Sequence, residues 1–148
     1  GFVRRHRGYA HTPWMETCSH PAPHVYGLPR HTLCVVTANH ADVVRTRLVH
    51  EGLQDCIDTY FGSNRPGTKA DHIRAALTQY AVPPDHTWMV GDSISDIEAA
   101  RAGGINSIAV SWGWQSRSLL QNHDPDMLFD TPADMHGFFK ALADTQSS

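Results

Sequence analysis

No apolar run in this chain of 148 residues approaches the roughly 18 residues of a membrane span, and no charged-then-apolar leader opens it. No membrane partner is therefore expected. A basic excess is also lacking. Twelve Lys and Arg face 15 Asp and Glu, a formal net charge of -3, which excludes a broad basic field for nucleic acid but not a small phosphate-bearing ligand. Cysteine is scarce and odd in number: Cys18, Cys34 and Cys56 have no C-x-x-C spacing, so neither a disulfide scaffold nor a zinc ribbon is indicated. Reduced thiols and a cytoplasmic location are the expectation. Lysine is nearly absent, Lys69 being the only one before Lys140. Aspartate is wholly absent before Asp42, and Gly1 stands where an initiating methionine would, so the chain is expected to be a fragment.

What is present divides into two parts. Residues 1–31 hold five of the 11 histidines and four of the nine prolines, with Arg4, Arg5, Arg7 and Arg30 against the single acid Glu16. Pro13, Pro21, Pro23 and Pro29 would interrupt any helix longer than two turns, so this opening is expected to be poorly ordered. His20 and His24 come nearest to metal-ligand spacing, but in a Pro-rich loop they read as solvated side chains. The abrupt change of composition before Leu33 suggests that the opening is foreign sequence, from a shifted frame or a truncated gene.

From Thr32 to Ser148 the pattern becomes alternating β-rich and helical runs, which predicts parallel βαβ units in one α/β domain. Strands are expected at 33–37, 57–61, 87–91, 106–110 and 126–129. Helices are expected at about 40–52, 69–80, 95–102 and 132–143. The second would carry Ile73, Ala76, Leu77 and Tyr80 on one stripe, with Thr68 as its cap. The third would open on a Ser95/Glu98 capping box and stop at Gly103-Gly104, and the last would turn Met135, Phe138, Phe139 and Leu142 to the core.

In an open parallel sheet the carboxyl ends of the strands face the functional crevice, and Thr37, Asp92 and Ser111 fall at or just past such ends. Asp92 follows Gly91 and offers hard oxygens of the kind Mg²⁺ takes. Asp96, four residues on, either supports such a site or merely complements a helix dipole. Thr37, Ala38 and Asn39 either present a hydroxyl and backbone N–H groups to a phosphate or simply cap the next helix. Lys69 opens a helix, where the dipole disfavours a cation, so a neighbouring group of anions is the functional reading and plain solvent exposure the alternative.

In order, Val36-Thr37-Ala38-Asn39, Gly67-Thr68-Lys69-Ala70 and Val90-Gly91-Asp92-Ser93-Ile94-Ser95-Asp96-Ile97 resemble the second, third and fourth motifs of the haloacid dehalogenase-like hydrolases. The phosphoglycolate phosphatase branch is the nearest likeness. Ala99-Ala100-Arg101-Ala102-Gly103 and Val110-Ser111-Trp112-Gly113-Trp114 are similar to that branch too, the likeness spanning about residues 33–140. The resemblance implies a Rossmann-like parallel sheet with flanking helices and a Mg²⁺-dependent phosphomonoester hydrolase working through an aspartyl-phosphate. Thr37 would then bond the transferring phosphoryl group, with Ala38 and Asn39 beside it. Lys69 would offset charge on nucleophile and phosphate, Asp92 would hold Mg²⁺, and Asp96 would support that metal site. The substrate would be a small phosphorylated metabolite.

The family's first motif, D-x-D-x-T or V, carries the nucleophile and the general acid and base, and nothing before Asp42 matches it. Its strand lies mid-sheet in the family, between the strands here at 33–37 and 87–91, and a helical cap normally follows. Residues 32–148 are therefore expected to be an incomplete core, marginally stable alone and without phosphatase activity. A non-catalytic phosphate- or metal-binding module, or a subunit completed by another chain, is the competing expectation.

Overall fold

Short β-branched and aromatic runs alternate with amphipathic ones after Thr32, and the chain folds accordingly. The structure is a computed structural model that describes residues 32–50, 52 and 57–146. The opening segment 1–31, with His20 and His24, lies outside the described residues, as do Cys18 and Cys56. In chain order the elements are β1 (Cys34–Val36), α1 (Ala41–His50), β2 (Thr59–Phe61), α2 (Lys69–Tyr80), a 3-10 turn (Pro84–His86), β3 (Trp88–Gly91), α3 (Ile94–Gly103), β4 (Asn106–Val110), α4 (Arg117–Gln121), β5 (Met127–Phe129) and α5 (Pro132–Gln146). This is the α/β architecture expected, with every strand pair parallel.

Among the described residues the five strands form two sheets, β1–β2 and β3–β4–β5. Val35 pairs with Tyr60 in the first, while Val90 pairs with Ile108 and Ala109 with Leu128 in the second. β4 is central and reads as an unbroken buried run from Ser107 to Val110, as a strand covered on both faces must. Ile108 and Val110 turn to Met135 and Phe138 of α5, whereas Ala109 turns to Ile97 of α3 and Leu120 of α4. β1 divides likewise: Val35 packs with Leu48 of α1, and Val36 joins Phe61 of β2, Ile73 of α2, Met89 of β3, and Ala99 and Ala100 of α3. This last cluster spans the two sheets and brings the carboxyl ends of β1 and β3 to neighbouring places.

One expectation needs correction and two short elements are new. Ser95 does not open a capping box: α3 begins at Ile94, its N-cap is Ser93, and no side chain of Ser93 caps the helix. The Ser93 hydroxyl instead turns to the Asp96 side chain, donating to Oδ2 (2.8 Å), and is not aimed at a helix N–H. The short helix α4 and the 3-10 turn at Pro84–His86 were not foreseen, because three to five residues are too few for a period to show. The α2 cap, by contrast, is a complete box. The Thr68 hydroxyl accepts from the Asp71 N–H (3.2 Å) and the Asp71 carboxylate accepts from the Thr68 N–H (2.8 Å). α3 stops at Gly104, whose φ of 76° is a left-handed cap.

Candidate active site

Three segments meet at the carboxyl ends of β1 and β3. The first follows β1. Thr37 N–H still donates to Phe61 O (2.9 Å), extending the β1–β2 ladder by one bond, and the Thr37 hydroxyl accepts from Asn39 N–H (3.1 Å). Thr37 therefore does not cap α1, where His40 Nδ1 receives the Asp42 N–H instead (3.2 Å). Its own hydroxyl hydrogen is left to donate elsewhere. The loop is tied down from β2's side by Ser63 N–H to Asn39 O (2.9 Å) and by Ala41 N–H to Asn64 Oδ1 (3.2 Å).

The second segment delivers Lys69. The Thr68–Asp71 box fixes the first turn of α2, and from it the Lys69 ammonium donates to Asp96 Oδ1 (2.9 Å) and Ser95 Oγ (3.0 Å). The neighbouring anion that a cation at a helix start calls for is thus Asp96, which is 3% exposed against 24% for Lys69. Burial pushes the Asp96 carboxyl up, but nearby positive charge and hydrogen bonds, Lys69's among them, more than offset it and hold it below the usual carboxylate range.

The third segment is β3 and the loop after it. Asp92 is half-buried, and its Oδ2 accepts from Trp114 N–H (3.1 Å), while Asp92 O accepts from Gln115 N–H (3.2 Å). The Gln115 side chain in turn accepts from Ile94 N–H (2.5 Å), so the loop after β4 caps the helix that Ser93 leaves uncapped. Gly91 and Gly113 make the packing possible: a Cβ on Gly91 would collide with the Asp96 side chain, and one on Gly113 with that of Asp92. The second oxygen of Asp92 has no protein partner and no cation pairs with it among the described residues. A half-buried carboxylate with an open oxygen fits one ligand position of a hard divalent ion, the remainder coming from water and substrate oxygens. Among the described residues no three His, Cys, Asp or Glu side chains converge to hold a metal by themselves.

Thr37, Ala38, Lys69 and the 63–68 loop line one cleft of about 450 Å³. Asp96 reaches the cleft through its bond to Lys69 and is joined to Ser93, whose hydroxyl bonds that of Ser95 (2.9 Å). Ser111 does not join them, since its hydroxyl donates to Asp130 Oδ1 (2.7 Å). Of the two tryptophans in that loop, Trp112 packs on the core with Ile108 and Val110, whereas Trp114 is 75% exposed. Arg65 and His72 escaped sequence reading, while Ser93 and Ser95 were read there as parts of a motif and a helix start and not as partners of Asp96 and Lys69. Only His72 left a signal. It sits three residues after Lys69 and one before Ile73, on the buried side of α2, where it stacks on Phe61 at 5.6 Å between ring centroids.

Comparisons with known proteins place the chain in a family. The haloacid dehalogenase-like hydrolase family matches residues 4–110, taking in most of the opening segment that composition had set apart. A phosphoglycolate phosphatase of Synechococcus elongatus is 32% identical over 110 residues, covering 70% of this chain and 50% of its own. Among solved structures, the haloacid dehalogenase-like family protein SP0104 from Streptococcus pneumoniae superposes with a TM-score of 0.68 at 26% identity, over 74% of this chain and 52% of its own. A hydrolase of the same superfamily from Ehrlichia chaffeensis gives 0.61 at 26% identity, over 75% and 50%. The chain spans about half the length of these relatives. With motif residues, topology and these likenesses in accord, the chain belongs to the haloacid dehalogenase-like hydrolases and is related to their phosphatases.

Proposed function

We propose that residues 32–148 form the phosphate-binding half of a phosphomonoester hydrolase acting on a small phosphorylated metabolite in the cytoplasm. The observation that carries this is the composition of the cleft: Thr37, Ala38 and Lys69 line it, and no carboxylate among the described residues does. A hydroxyl donor and an ammonium held at the cleft wall by Asp96 are what a transferring phosphoryl group needs, because that chemistry rests on positioning and charge stabilisation.

In this reading the Thr37 hydroxyl donates to a phosphoryl oxygen while Asn39 N–H fixes its direction. Lys69 holds its ammonium at the cleft wall through Asp96 and Ser95, and it offsets negative charge on the phosphoryl group. Asp92 would supply a ligand for Mg²⁺, and Asp96 would support that site. When bound, the ion screens the phosphoryl charge and polarises its oxygens. No Asp precedes Asp42 in this sequence, so the nucleophile of the aspartyl-phosphate mechanism has no counterpart at its family position, and the chain alone binds phosphate without turning it over.

Titration of the full chain with methyl phosphate in the presence of Mg²⁺ tests the reading. Binding is expected, weakened at least about tenfold by Lys69→Ala and by Asp92→Asn, since each removes a charged contact. Hydrolysis of p-nitrophenyl phosphate is expected to stay at the buffer rate. Binding that neither substitution weakens would overturn the site, and turnover lost in Asp92→Asn would overturn the inactivity.

A further inference from the structure

The loop after β4 makes more hydrogen bonds to the site than capping α3 alone requires. Gln115 makes two of them: its side-chain oxygen accepts from Ile94 N–H (2.5 Å), and its own N–H donates to Asp92 O (3.2 Å). They grip the chain on either side of Ser93, where β3 gives way to α3. Just before Gln115 comes Trp114, whose N–H is the one protein donor to the Asp92 carboxylate among the described residues (3.1 Å). The indole does not hold that N–H in place. Its residue is 75% exposed, so the position of the Trp114 backbone depends on its chain neighbours. Gly113 supplies only room, since a Cβ there would collide with the Asp92 side chain, and Gln115 is left as the anchor. Both ends of the loop are held independently of Gln115. Ser111 N–H donates to Phe129 O (3.0 Å), the Ser111 hydroxyl donates to Asp130, Arg117 pairs with the same Asp130 (3.0 Å), and the Ser116 hydroxyl caps α4 by accepting from Leu119 N–H (3.3 Å).

Resting on the reading of Asp92 as a Mg²⁺ ligand, we propose that Gln115 is a positioning residue of the metal site. By latching the loop to the start of α3, it keeps Trp114 N–H on Asp92 Oδ2, so that the carboxylate presents its other oxygen in one direction. The reasoning is geometric. The last torsion of an aspartate is broad, and a carboxylate free to turn about it faces away from an ion part of the time, whereas one oxygen tied to a fixed backbone donor leaves the other in place. A plain helix cap would need only the side-chain bond to Ile94. Here the backbone bond to Asp92 O and the neighbouring Trp114 donor join the cap to the ligand, so the group that completes α3 also aims Asp92.

The test is titration of the full chain with Mn²⁺, which takes the same hard oxygen ligands as Mg²⁺ and is read by the paramagnetic resonance of the free ion. Gln115→Met keeps the length of the side chain and removes its acceptor. Gln115→Asn keeps the amide but draws it one methylene short of Ile94 N–H, a second and milder break should the first variant fold poorly. Each is expected to bind Mn²⁺ about tenfold more weakly, the lower end of the loss when an outer hydrogen-bond partner of a metal ligand is removed. Ser116→Ala is the control, because it removes a helix cap from the same loop without touching a bond to Asp92. It should lower the urea midpoint as the Gln115 variants do, yet leave Mn²⁺ affinity within about twofold. Affinity that holds within about twofold in both Gln115 variants overturns the proposal, leaving Gln115 a helix cap and the metal site standing. So does an equal loss in Ser116→Ala, which would mean that the loop had merely loosened. An unsubstituted chain that binds no Mn²⁺, or binds it as well after Asp92→Asn, overturns the metal reading and this one with it.

Discussion

Replacing Lys69 by Met removes the cation facing the most buried acid of the site. Asp96 is 3% exposed, and losing one member of a buried ion pair typically costs about 3–5 kcal/mol. That figure must be reduced here, because the Ser93 hydroxyl still donates to Asp96 at 2.8 Å and Lys69 itself is 24% exposed, so water screens part of the attraction. About 2 kcal/mol remains. For a chain of this size that shifts the urea midpoint down by roughly 1–2 M at pH 7. The pH dependence gives a sharper test. Asp96 has its folded-state pKa below the ordinary carboxylate value, so its contribution is fully present above about pH 4 and is lost as pH falls through the lower folded value. Without Lys69 the folded-state pKa rises, and the difference between the two chains should shrink steadily below about pH 4. Urea unfolding followed by tryptophan fluorescence at several pH values measures this. Equal midpoints at pH 7, or a deficit unchanged at acid pH, would refute the pairing as an energetic link between α2 and α3.

Other substitutions probe the supports of the site. His72→Leu should stabilise the chain by about 1 kcal/mol, because both ring nitrogens are buried without a hydrogen-bond partner among the described residues, a penalty of about 1–3 kcal/mol that outweighs a stacking gain of about 0.5–1.5 kcal/mol on Phe61; a lowered urea midpoint would contradict this. Thr68→Ala removes the hydroxyl half of the α2 capping box and should cost about 1 kcal/mol, with Lys69-dependent phosphate binding weakened in parallel as the first turn frays. Gly113→Ala forces a methyl against the Cβ of Asp92, and calorimetry should show Mg²⁺ and phosphate affinity falling together with a lower unfolding midpoint. Cys34, whose thiol is pushed up to about 11 chiefly by burial and then by Asp58, should react with thiol reagents at pH 8 far more slowly than a free cysteine, measured with Cys18 and Cys56 changed to Ser.

How much of this was legible beforehand follows from the range over which each signal acts. The α2 stripe and the Thr68 cap are local, with side chains three or four positions apart on one helix, so the spacing of Ile73, Ala76, Leu77 and Tyr80 reported them directly. Thr37, Lys69 and Asp92 could be named because each ends a strand or opens a helix, and topology sends such positions to one edge. What topology does not convey is which partner each finds. The Ser93 hydroxyl had two possible uses, helix capping and the Asp96 carboxylate, and the choice depended on Lys69, 24 residues earlier in the chain, making Asp96 an anion worth satisfying. Once Ser93 turned inward, the open N–H of Ile94 was taken by Gln115, 21 residues later, from a loop that also supplies the Trp114 N–H to Asp92. Those contacts form one connected set. The capping-box expectation at Ser95 failed because it counted residues within a single helix, while the site assembles its hydrogen bonds across four segments. Arg65 was unreadable for the same reason: an arginine in a Pro-Gly turn is ordinary until Phe61 is found beneath it.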